Sequence, residues 1–200
     1  MSSPFDRENQ QEQTTSKLVV ALEKLSESFR VLLWEQTKAH GLSPIQIQIL
    51  IYLKNHDHSQ AKPAVLATEL NVTRPTISDA LSALKKKALL KTQPNPADSR
   101  SKILYLSPKA EKLYTEIEQY AHPLEAALGS LADTTQSDLL HHLLKVIGQL
   151  ESKQVINPQR TCFSCIHYRG DTQGIHHCSL LERDLTNGEL RIDCPEHQAA

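Results

Sequence analysis

The amino-acid sequence predicts a mainly α-helical protein built on a winged helix-turn-helix, with helices on either side and a small metal-stapled C-terminal segment. Three observations carry that expectation. The run Asn71-Val72-Thr73-Arg74-Pro75-Thr76-Ile77-Ser78-Asp79-Ala80-Leu81 has the chemistry of a tight turn followed by a second motif helix. After it come a short apolar stretch at Leu89-Leu90, a polar loop over 93–101, and a second apolar stretch over 103–106. All four cysteines lie beyond residue 160.

Residues 1–15 are rich in Gln, Glu, Ser and Thr, the composition of a disordered segment. From Ser16, the residues Leu18, Leu22, Leu25, Phe29, Leu32 and Gln36 recur at steps of four and three, which predicts one long helix over 16–41. Gly41 is placed to end it in the left-handed conformation. Ser43, Pro44 and Gln46 occupy the cap, first and third positions of another helix. The alternation of Ile45, Ile47, Ile49 and Ile51 argues for a strand instead. The capping signal, together with a family resemblance in the neighbouring residues, decides for helix. The loop His56-Asp57-His58-Ser59 offers a weak metal set or, in the plainer reading, solvated side chains.

Residues 63–70 read as the first motif helix, ended by Asn71, a residue that tolerates left-handed backbone. Val72 is an apolar staple and Thr73 an N-cap. Pro75 falls in the first helical turn, where a missing N–H costs little. Ile77, Leu81, Leu84 and Ala88 form the buried stripe. The opposite face opens with Arg74, Thr76, Ser78 and Asp79, short polar groups of the kind that read a major groove from a helix end. An ordinary amphipathic surface helix has the same stripe, and the residues after the helix separate the two readings. Lys85, Lys86 and Lys87 close the helix. Two predicted strands then flank a loop carrying Asp98, Ser99 and Arg100, with Lys102 on the second strand. Helix, strand, polar loop and strand make a winged helix. Residues 61–110 carry nine Lys/Arg against three acids, a net of +6, whereas 111–154 carry three against seven, a net of −4. The basic stretch coincides with the motif, which is what phosphate neutralisation requires.

Residues 42–113 resemble the MarR family of bacterial and archaeal winged-helix regulators. The resemblance rests on Leu66-Ala67 and Leu70 in the first motif helix, the 73–87 recognition helix, Asp98-Ser99-Arg100 in the wing, and the Ser107-Pro108-Lys109 restart. The family usually has Gly where Ala88 and Ala110 stand. The resemblance implies a homodimer held by the terminal helices (16–41 and 108–154), double-stranded DNA with a pseudo-palindromic operator as partner, and a small-molecule effector between the dimer and DNA-binding parts. It places a winged DNA-binding domain at 42–107. Direct base contacts are expected from Arg74, Thr76 and Ser78, and phosphate contacts from Thr73 and Lys85 or Lys86. Arg100 is expected in the flanking minor groove, oriented by Asp98.

Ser107 and Pro108 start a helix whose stripe is Leu113, Ile117, Tyr120, Leu124, Leu128 and Leu131, with Pro123 expected to kink or break it. Asp133 or Thr135 is expected to cap the last long helix, with a stripe of Leu139 or Leu140, Leu143, Ile147 and Leu150.

Asn157-Pro158-Gln159-Arg160 breaks the helical pattern and opens a Cys-rich segment, 155–200. Its 46 residues are too few for a core without a staple. Cys162, Cys165, Cys178 and Cys194 are spaced C-x2-C-x12-C-x15-C. In a reducing compartment such clustering points to metal or redox chemistry. Zinc held by four thiolates is the first reading, an iron–sulfur cluster the alternative, and reversible thiol redox a third. His167, His176, His177 or His197 could substitute for one thiolate. Asn187-Gly188 predicts a hairpin joining 180–185 to 190–193 and bringing Cys178 to Cys194.

No run of eighteen apolar residues exists and the N-terminus is polar, so a cytoplasmic protein with no membrane partner is expected. No nucleophile–base pair, phosphate loop or paired acidic motif points to an enzyme. The leading expectation is a DNA-binding transcription regulator whose cysteine site senses redox or metal state. The competing one is a metal or iron–sulfur protein that uses its winged helix for protein contact, a reading that predicts no salt-dependent DNA binding.

Overall fold

The computed structural model describes residues 3–57, 61–95, 98–170 and 175–200, with the side chains of 95–101 outside that set. The elements run α1 (Arg7–Glu12), α2 (Thr14–His40), α3 (Pro44–Asn55), α4 (Pro63–Glu69), α5 (Arg74–Lys86), β1 (Leu90–Asn95), β2 (Asp98–Leu106), α6 (Pro108–Ile117), α7 (His122–Gly129), α8 (Asp133–Ser152), β3 (Tyr168–Gly170), β4 (His176–Cys178) and β5 (Arg183–Leu185). This is a mainly helical winged-helix fold. Two compact units are formed by Met1–Ser59 with Ala80–His122 and by Gln60–Asp79 with Pro123–Ala200, so the chain passes from one to the other within α5, after Asp79, and again at the start of α7, after His122.

In the first unit, α3 is the central helix and packs against α2, α6 and β2. Ser43 and Gln46 form the expected capping box, and Ile47, Ile49, Leu50 and Leu53 are buried. The helical reading of this stretch therefore holds over the strand-like alternation. Gly41 ends α2 at φ 60°. Lys87 donates to the Gly41 carbonyl and to the Gln46 side-chain oxygen, so the third lysine of the run caps α2. The wing strands pair antiparallel from Leu90↔Leu106 to Pro94↔Lys102. Ser107 caps α6, accepting from Ala110 N–H and donating to the Ala88 carbonyl. The kink or break expected at Pro123 falls just ahead of it: a 3-10 turn over Glu118–Ala121 separates α6 from α7, which starts at His122.

Four expectations are corrected. Residues 7–12, read as disordered, form α1, because Asp6 caps it and Asn9 and Gln10 bond back to the Ser3 and Phe5 carbonyls. Asp133 is the first helical residue of α8, with Ala132 in the uncapped N-cap position. Ala88 lies outside the stripe of α5; it is exposed at φ 58°, and Ala80 takes its place in the core. The Asn187–Gly188 hairpin does not form, since neither residue takes the positive φ that a two-residue type I′ turn needs. Thr186 and Glu189 make a capping box there instead, and β5 pairs with β4.

In the second unit the buried face of α8 is Leu140, Leu144 and Ile147, which packs against Leu185, Leu190, Phe163 and Tyr168 of the C-terminal segment. The sheet order is β3-β4-β5, all antiparallel.

Candidate nucleic-acid interface and cysteine module

The motif turn is a Schellman closure. Val72 N–H reaches the Ala67 carbonyl at 3.0 Å and Asn71 N–H the Thr68 carbonyl at 3.2 Å, with Asn71 at φ 51°. Thr73 then starts α5: its Oγ1 accepts from Thr76 N–H at 3.4 Å and shares a 2.8 Å hydrogen bond with the Thr76 hydroxyl. Ile77, Ala80, Leu81 and Leu84 are buried, while Thr73, Arg74, Thr76 and Ser78 are all exposed. The side chains expected to contact DNA are therefore exposed, and Thr76 Oγ1 is shared with Thr73. Lys85 and Lys86 are exposed in the last turn, and Lys102 is exposed on β2. Asp98 and Arg100 begin β2, and their side chains lie outside the described residues. His58 lies outside them too, while His56 is engaged with Tyr52, through a ring stack at 3.8 Å and a 2.8 Å hydrogen bond to its carbonyl.

The C-terminal segment brings its four cysteines to one place. Cys162 opens a 3-10 turn, and Cys165 N–H returns to the Cys162 carbonyl at 3.1 Å. Cys178 ends β4 and Cys194 follows the Leu190–Asp193 stretch. All four line one cavity of about 30 Å³, together with His167 and Arg191. None is in a disulfide. Arg191 N–H donates to Cys162 Sγ at 3.2 Å, and its guanidinium lies 3.8 Å from Cys194 Sγ. Burial pushes the Cys162 thiol above its ordinary value, partly offset by that N–H.

Three of the four histidines offered as substitute ligands are occupied elsewhere. His176 is buried and bonded at both nitrogens, to Tyr168 Oη at 2.6 Å and Asn187 Oδ1 at 3.1 Å. His177 pairs with Asp184 at 2.8 Å, and His197 Nε2 meets Ser164 at 3.1 Å. His167 is the exception: its Nε2 is buried without a hydrogen-bond partner. Among the described residues, no three His, Cys, Asp or Glu side chains are grouped tightly enough for a single metal ion.

A profile of the MarR family matches residues 40–101, the segment that holds α3, the helix-turn-helix and most of the wing. Over these residues the chain is similar to the MarR family. Solved structures agree in fold. The transcriptional regulator PA3341 is 26% identical, with 68% of this chain and 98% of that one covered and a TM-score of 0.59. The complex of S. aureus MepR with DNA is 22% identical over 66% and 97%, at 0.58. A MarR transcriptional regulator from Methanosarcina mazei Go1 is 19% identical over 68% and 96%, at 0.55. MarR regulators of this kind are not enzymes. The neighbours match along nearly their whole length, while about a third of this chain has no counterpart in them.

The residues missed by sequence reading join the cysteine module to the motif. Asn157 donates from its backbone to Asn71 Oδ1 at 2.8 Å and from its side chain to the Thr68 carbonyl at 3.1 Å. Arg160 donates twice to the Cys194 carbonyl, at 3.2 and 2.9 Å, and lies 4.0 Å from Glu69 of α4. In sequence, 157–160 showed only a helix break. The Pro158 that signalled it stands between two residues that bond to the motif. Among the described residues, no helix is long and apolar enough to cross a membrane.

Proposed function

We propose that this chain is a dimeric, sequence-specific DNA-binding transcription regulator of MarR type, and that its cysteine module reports a metal or redox state to the DNA-reading helix. The observation that carries the reading is the N-terminal turn of α5, where Thr73, Arg74, Thr76 and Ser78 stand exposed directly after a closed motif turn. Arg74, Thr76 and Ser78 contact base edges, and Lys85 and Lys86 neutralise phosphates. Arg100 enters the minor groove beside them, oriented by Asp98.

Dimerisation is supported by the apolar surface that the single chain leaves uncovered. The stripe of α2 is exposed, with Leu25 at 49% and Phe29 at 46%, and so are Leu128, Leu139, Val146 and Leu150. Apolar rows of that length normally mark an interaction surface. A second copy is the occupant that gives two recognition helices one DNA turn apart. The MepR structure, which holds DNA, supports the same partner for this chain.

The test is duplex binding by the full chain and by Arg100→Ala. The variant is expected to bind its operator at least tenfold more weakly while remaining a dimer in sedimentation equilibrium. Unchanged binding removes the wing from the mechanism.

A further inference from the structure

The size of the cysteine cavity bears on what it holds. Zinc sits about 2.3 Å from each thiolate, which sets the four sulfurs roughly 3.8 Å apart, touching one another. No water-sized space survives among sulfurs so placed. Here the four cysteines line, together with Tyr168, Leu181 and Leu185 among others, a space of about 30 Å³, roughly twice what one water needs. The same residues are not grouped tightly enough for a single ion. A larger inorganic core fits both facts. Its bridging sulfides would also use the buried Nε2 of His167, which lines the cavity and has no other partner. The surroundings suit the charge of such a core. Arg191 places one backbone N–H on Cys162 and its guanidinium beside Cys194, the kind of hydrogen bonds to sulfur that tune iron–sulfur centres. Tyr168 and Leu185 add apolar walls.

The cavity wall is tied to the motif turn by hydrogen bonds. Cys194 N–H donates to the Arg160 carbonyl at 3.0 Å, and the Arg160 guanidinium returns to the Cys194 carbonyl. Arg160 also reaches Glu69, and three residues earlier Asn157 holds Thr68 and Asn71. These are the residues that close α4 and launch α5. The motif turn and the exposed residues Thr73, Arg74, Thr76 and Ser78 accordingly belong to the same compact unit as the cysteines.

We propose that Cys162, Cys165, Cys178 and Cys194 hold an iron–sulfur cluster, and that its occupancy sets the motif turn through the strap 157–160. The first half stands on the cavity alone; the second rests on the DNA-binding reading. The 46-residue segment has little core of its own, so losing the cluster loosens the Cys194 loop, and with it Arg160 and Asn157.

The experiment uses the full chain purified without oxygen. Iron and acid-labile sulfide in equal amounts, with a visible charge-transfer band and an iron Mössbauer signal, are the expected result. One zinc per chain without sulfide overturns the cluster. So does failure to take up a cluster when the chain is supplied with ferrous iron, sulfide and thiol. Duplex affinity is then compared between the cluster-loaded form and the form stripped by chelator. The loaded form is expected to bind about tenfold more tightly, the scale of the two strap hydrogen bonds. Asn157→Ala is expected to keep the cluster spectrum and bring that ratio close to one. Equal affinity of loaded and stripped wild type overturns the coupling. A cluster-bearing protein that binds no duplex in either state refutes the DNA-binding reading and leaves the cluster in place. A zinc protein with salt-dependent duplex binding does the reverse.

Discussion

Three non-glycine residues, Asn71, Ala88 and Gln154, close helices in the left-handed conformation, each with the paired carbonyl bonds of a Schellman motif. Asn71 suits the role, because its short amide tolerates positive φ. Ala88 does not: a Cβ at φ 58° is crowded against the carbonyl, at a cost of about 1 kcal/mol. Ala88→Gly is therefore expected to raise unfolding stability by about 1 kcal/mol in urea titration, with an unchanged m-value. Lower stability would mean that Ala88 contributes packing that its exposure does not indicate. Glu189 is a second residue with a defined signature. Its carboxylate accepts from Thr186 N–H, Arg183 and the Thr186 hydroxyl, which hold its pKa down to about 2. A carboxyl depressed on folding contributes stability above its unfolded value, near 4.3, and loses it as pH falls toward the folded value. Wild type and Glu189→Gln are thus expected to differ in stability at neutral pH and to converge between about pH 4.5 and about 2. A constant gap across that window contradicts the role.

Among the secondary-structure elements, α8 has two jobs, and here sequence reading ran out. Its period-3.6 pattern was plain, but two apolar stripes overlap on it. Leu144 is fully buried beneath the C-terminal segment, whereas Leu139, Val146 and Leu150 remain exposed. Periodicity reports that a helix has an apolar face; it does not report which partner covers it. The helix caps were legible because capping is local chemistry: Ser43, Ser107 and Gly41 all act where their spacing predicted. The hairpin at Asn187–Gly188 failed because Glu189, three residues after Thr186, offered a competing local closure, while His176 and Asp138 engaged the Asn187 side chain. The spacing of the cysteines pointed to a joint role, and all four line one cavity; the strap 157–160 was invisible because its bonds to the motif span more than eighty residues of chain. The seat of the module on α8 can be tested at Gly148, where an added Cβ lands 3.0 Å from Phe163 Cβ. Gly148→Val overfills that contact and is expected to cost about 2 kcal/mol. The loss should appear as reduced hydrogen-exchange protection over 160–170, with α3 unaffected. Full protection would mean that the module does not rest on this contact.

Along the full chain, the charge asymmetry and the exposed helix stripes lead to the same picture. The +6 stretch coincides with the motif and wing, while the −4 stretch covers α6 to α8. The positive charge lies where a polyanion is to be met, and the long uncovered stripe of α2 calls for a second chain. Leu25→Lys, in the middle of that stripe, is expected to convert the dimer to monomer in sedimentation equilibrium and to weaken operator binding at least tenfold, because two half-sites are no longer read by one particle. A dimer that persists moves the interface away from α2.

Whether α5 and the wing read a duplex is decided by equilibrium binding of the full chain to a duplex selected from a random pool, and to a scrambled duplex of the same length, over a series of salt concentrations. Affinity is expected to fall steeply with salt on both, by about one power for each phosphate neutralised, with a preference of at least about a thousandfold for the selected sequence. Binding that ignores salt, or equal affinity for the two duplexes, would contradict DNA reading and leave the winged helix as a surface for protein contact.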